Sequence, residues 1–69
     1  MDVLSEARRI KARLIDCSTM EEVDAVSDEE RATVMQMKAG TGHGPVMYLQ
    51  IRNLRNLLVK EFETLLEAA

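Results

Sequence analysis

Every glycine of this chain and its only proline fall within six consecutive residues, Gly40-Thr41-Gly42-His43-Gly44-Pro45. These two residue types oppose a helix interior by about 1 and about 3 kcal/mol relative to alanine. Their confinement leaves helix-compatible sequence on both sides of one joint, residues 40–44. Clustered glycines are turn punctuation, and Pro45 suits the first position of a following helix, where its missing N–H costs nothing.

Before the joint, the apolar residues recur at helical spacing. Val3, Ala7, Ile10, Leu14 and Cys17 are spaced 4-3-4-3, with Leu4 and Ile15 widening the stripe. This predicts a first helix from about Asp2 or Val3 to Asp16, with Asp2 as N-cap. Ser18-x-x-Glu21 and Thr19-x-x-Glu22 each fit a capping box, so a short second helix is expected over about 20–26. Ser27-x-x-Glu30 offers a further box. A third helix is expected from Ser27, with Asp28, Glu29 and Glu30 in its first turn, Lys38 in its last and Gly40 just beyond.

After the joint, Met47, Ile51, Leu54, Leu58, Phe62, Leu65 and Ala69 are spaced 4-3-4-4-3-4. That eleven-residue pattern follows the natural pitch of an α-helix, so the stripe hardly drifts over about 33 Å from Pro45 to Leu66. The fold class expected is all-α: one helical domain over residues 1–69, three short N-terminal helices and one long C-terminal helix, assembled as a helical-bundle homodimer.

The homodimer is expected on grounds of size. A chain of 69 residues has a thin core and usually needs reinforcement. Cys17 is the only cysteine, which excludes an intrachain disulfide, and it cannot make a structural zinc site with the lone His43 unaided. Association remains. In the last helix Val46, Leu49, Leu57, Val59 and Leu66 flank the main stripe, giving an apolar arc too broad for short helices to cover. Met47, Ile51, Leu54, Leu58, Phe62 and Leu65 are the residues expected at the dimer interface. Arg52 and Arg55 lie in the first half of that helix and Glu61, Glu63 and Glu67 in the second, so two copies crossing near Val59 would match opposite charges when antiparallel.

Composition narrows the function classes. Apolar residues make up 46% and aromatic residues only 3%, a profile that favours helices and is too apolar for disorder. The start Met1-Asp2-Val3-Leu4-Ser5-Glu6 does not read as a signal peptide and no apolar run spans a bilayer, so a cytoplasmic setting is expected and no membrane partner. The glycine cluster has neither P-loop nor dinucleotide-fingerprint spacing, and no strand precedes it. His43 has no orienting carboxylate nearby, and Cys17 sits on an apolar stripe as a small hydrophobe. No enzyme activity, cofactor or metal is expected.

The net charge of −3 is unevenly spread. Residues 18–39 hold Glu21, Glu22, Asp24, Asp28, Glu29 and Glu30 against Arg31 and Lys38, leaving −4. Arg8, Arg9, Lys11 and Arg13 form the only basic cluster, on the first helix. Two functions compete on this pattern. The favoured one is a non-catalytic protein-binding module, a helical homodimer that docks on another protein and modulates or inhibits it. Pliable Met35 and Met37 are its expected contacts, anchored by Tyr48 and Arg52, residue types enriched in binding hot spots. The alternative is a small DNA-binding regulator of helix-turn-helix type, with residues 19–39 as the motif and the basic first helix meeting phosphates. Its recognition helix would begin Asp28-Glu29-Glu30, which repels DNA.

Overall fold

In a computed structural model that describes residues 1–68, the chain forms four helices: α1 (Val3–Ile15), α2 (Met20–Glu29), α3 (Arg31–Ala39) and α4 (Gly44–Ala68). Among the described residues there is no strand, and the all-α class expected from the spacing is observed. One core cluster draws on all four helices. Ala7, Ile10 and Leu14 come from α1, Val23 and Val26 from α2, Met37 from α3 and Ile51 from α4. The middle of the 4-3 stripe of α1 is therefore its buried face, while Leu4 and Ile15, expected to widen it, are exposed.

The first two helix starts follow local chemistry. Asp2 caps α1, its carboxylate accepting from Ser5 N at 3.3 Å and from Ser5 Oγ at 2.8 Å. Of the two boxes available to α2, Thr19 with Glu22 is the one that forms. Thr19 Oγ1 accepts from Glu22 N at 3.2 Å, and the Glu22 carboxylate reaches back to Ser18 N at 2.8 Å. Orphan N–H groups are satisfied in both directions.

The next boundary departs from the sequence expectation. The second helix does not end at Val26, and Ser27 does not cap the third; α2 continues to Glu29 and α3 begins at Arg31. The break is a single residue, Glu30, at φ −96° and ψ 3°. Helical bonding persists on either side, Glu30 N donating to Val26 O and Val34 N to Glu30 O, each at 3.0 Å. The physical reason lies outside the segment. The Ser27 hydroxyl accepts from Arg55 Nε of α4 at 3.2 Å, and the Glu30 carboxylate is held by two arginines of α1. Neither side chain is left for the backbone.

The joint also differs in detail. Gly40 ends α3 in extended backbone, while the left-handed residue is Gly42 at φ 64°. Gly44 is buried as the first residue of α4, one place before Pro45, and a Cβ there would lie 2.6 Å from the Met37 carbonyl oxygen. That glycine lets the first turn of α4 close against the last turn of α3. Since α3 has 9 residues and α4 has 25, their lengths are about 14 and about 38 Å. The short helix lines only the N-terminal part of the long one.

Candidate functional site: an arginine-rimmed groove

The main stripe of α4 is largely occupied within the chain. Ile51 is a core residue, and Met47, Leu54, Leu58 and Phe62 are half-buried against that core. Of the six side chains expected at a dimer interface, only Leu65 is strongly exposed, at 65%. The stripe meets the chain's own first three helices. The large apolar side chains of α4 left in solvent are Val46, Leu49, Leu57, Leu65 and Leu66.

Beside that stripe, between α3 and the first half of α4, lies an open groove of about 180 Å³. Its floor is Ile10, Leu14, Val26 and Ile51, all buried in the core. Val34 and Met35 of α3 form one wall and Tyr48 of α4 the other. Arg31, Arg52 and Arg55 stand at the rim. The volume falls short of the several hundred Å³ usual for a cofactor site, and suits a few inserted side chains.

Three of the four contact residues expected from sequence line this groove together: Met35, Tyr48 and Arg52. The fourth is corrected. Met37 is 1% exposed and belongs to the core. Two residues apart on a helix means about 200° of rotation, so Met35 and Met37 point in opposite directions and only one can reach a partner. Residue type grouped them, and helical geometry separates them.

Each rim cation has a distinct environment. Lys38, just outside the lining, has its Nζ 5.3 Å from the centroid of the Tyr48 ring, within cation–π range. Arg31 pairs with Asp28 at 2.6 Å, both exposed. Arg55 donates to Ser27 and lies 3.7 Å from Asp24. Among the described residues Arg52 has no ion-pair partner.

Glu30, at the inner end of the groove, is the one buried charged residue among those described, 6% exposed. Arg9 donates from both terminal nitrogens, the Nη2–Oε1 contact being 2.9 Å, and Arg13 Nη1 donates at 2.8 Å. The Arg9 bonds, then those of Arg13, outweigh burial and hold the Glu30 carboxyl down at about 2. Arg9 also bonds Glu6 at 2.7 Å and Arg13 bonds Glu29 at 2.6 Å. Half of the basic cluster of the first helix is therefore engaged within the chain, and Lys11 Nζ donates to Gln50 at 2.8 Å. Residues 19–39 form two helices joined at one residue, without the 3–4-residue turn of a helix-turn-helix. The Arg9–Glu30 pairing is not legible from spacing, because the two residues are 21 positions apart.

The remaining candidates for chemistry are dispersed. Cys17 is half-buried, its Sγ donating to Arg13 O at 3.3 Å, and burial pushes its thiol pKa up, away from a reactive thiolate. His43 is exposed on the joint. Among the described residues no three His, Cys, Asp or Glu side chains gather as a metal ion requires, and no helix is long and apolar enough to cross a membrane. No family model, no curated protein and no solved structure matches the chain.

Proposed function

We propose that the chain is a non-catalytic protein-binding module that receives a helix of a protein partner in the groove between α3 and α4. The observation that carries this reading is the convergence of Met35, Tyr48 and Arg52 on an open apolar cleft whose floor is the core itself. A pliable thioether, an aromatic ring and a cation without an ion pair among the described residues are the contacts a helix docking in a groove uses. The DNA-binding alternative is less well supported, because Arg9 and Arg13 are already committed to carboxylates of the same chain.

A photo-crosslinking side chain placed at position 35 tests the reading, with the same probe at exposed position 8 of α1, outside the groove, as control. The expected result is a covalent adduct with a protein chain from position 35 only, abolished by Tyr48→Ala. Equal adducts from both positions, or an adduct indifferent to Tyr48→Ala, would exclude the groove as the binding surface.

A further inference from the structure

We infer that the helix received by the groove is the C-terminal half of α4 from a second copy of the chain, the two α4 helices lying antiparallel. This rests on the groove being a protein-binding surface, and it names the occupant. Tyr48, Arg52, Arg55, Val59, Glu63 and Leu66 are spaced 4-3-4-4-3, which places them on one ridge of α4. The first three line the groove. The last three continue the same ridge past the point where the 9-residue α3 gives out. Leu66 is 70% exposed there, and Glu63 and Glu67 have no ion-pair partner among the described residues.

One ridge thus carries both halves of a complementary pair: an apolar cleft with a cation outside any ion pair among the described residues, and an exposed leucine with a carboxylate, Glu63, equally unpaired there. A two-fold axis facing this ridge between Arg55 and Val59, level with positions 57 and 58, brings Arg52 level with Glu63 of the second copy, twice over by symmetry. It brings Tyr48 level with Leu66 and Glu67. A parallel pair would set Arg52 against Arg52 and Glu63 against Glu63. A stable interface covers about 800 Å² per partner, about a sixth of the 4737 Å² this chain exposes, and α4 runs most of the 43 Å length of the molecule.

The pairing predicts an unusual result for two charge reversals. Arg52→Glu alone sets two carboxylates together at both symmetric contacts, and Glu63→Arg alone sets two cations together. Each variant should lose self-association by at least about tenfold in sedimentation equilibrium, with an unchanged helical circular dichroism signal because both side chains are exposed. Mixed in equal amounts, they form a heterodimer in which both contacts are opposite in sign, and a mass of about twice 7.8 kDa should return. If a reversal unfolds the chain, Arg52→Gln and Glu63→Gln serve instead, each flattening the salt dependence of association.

A wild-type chain that stays monomeric, single variants that dimerise as the wild type does, or a mixture that fails to restore the dimer would each overturn the inference. The position-35 crosslink then decides separately whether the groove still binds another protein.

Discussion

The first helix and the last are built from similar sequence and end in opposite situations. In α1, a 13-residue helix, Ala7, Ile10 and Leu14 are sealed in the core, Leu4 and Ile15 stay in solvent, and two of four cations are tied to acidic residues of the chain. In α4, a 25-residue helix, only Ile51 and Gly44 are fully buried, five large apolar side chains remain in solvent, and Arg52, Glu63 and Glu67 hold no ion pair among the described residues. The core-facing side of α1 is satisfied within the chain. In α4 the exposed Leu66 shares a ridge with Arg52 and Glu63, and that ridge has contacts left to make. The contrast also explains why net charge was a poor guide, since half of the basic cluster on α1 is already paired within the chain.

The sharpest way to break the comparison is to remove a side chain on the satisfied side. Leu14→Ala empties a site that is 1% exposed, at the centre of the four-helix core. It should cost about 2–5 kcal/mol and leave so small a chain largely unfolded by urea titration. Gly44→Ala comes next. Its Cβ would press on the Met37 carbonyl oxygen, backbone that cannot step aside cheaply, and a loss of about 1–3 kcal/mol should appear as a lower urea midpoint.

Glu30 measures how firmly α1 is pinned. Glu30→Ala should cost about 1–2 kcal/mol, since the carboxylate is buried while both arginines reach solvent. Its pH dependence has a definite sign. The folded carboxyl titrates at about 2 and the unfolded one near its ordinary 4.5, so the unfolded state binds the proton first. The stabilisation is complete above about 4.5 and is lost as pH falls toward 2. Urea titrations across that interval should show a steeper loss in the wild type than in Glu30→Gln; parallel slopes would mean the pair contributes nothing.

The smallest folding effect belongs to the other side of the comparison. Leu66→Gln should change the stability of dilute protein by less than about 0.5 kcal/mol, because the side chain is mostly in solvent. At high concentration the same change should lower the thermal midpoint, since association adds to stability by mass action. Equal effects at both concentrations would erase the distinction between α1 and α4.

What the sequence disclosed follows from which interactions are local. Helix class, the stripe of α1, the Asp2 and Thr19 caps and the position of the joint depend on residues a few places apart, and each is present in the fold. The boundary between α2 and α3 was illegible because long-range bonds decide it: Ser27 is taken by Arg55 of α4, and Glu30 by Arg9 and Arg13 of α1. A capping box read from spacing assumes its side chains are free. The groove was partly legible. Tyr48 and Arg52, one turn apart, were identifiable from type and spacing, but Arg31, Val34 and Arg55 were not, since only tertiary packing brings α3 beside them. The strong 4-3 stripe of α4 was visible, but whether it met this chain or another depended on how far the shorter helices extend.

The most direct test of the antiparallel α4 contact is disulfide trapping in a Cys17→Ala background. Chains carrying Arg52→Cys are mixed with chains carrying Glu63→Cys and oxidised gently. With the two-fold axis facing the ridge between Arg55 and Val59, the 52–63 pair lies face to face, whereas two copies of position 52 are about 16 Å apart along the helix axis, beyond the reach of a disulfide. The predicted product is the mixed 52–63 dimer, with little 52–52 or 63–63. Predominant 52–52 and 63–63 dimers would show a parallel pair, and no dimer at any protein concentration would show that α4 does not meet a second copy.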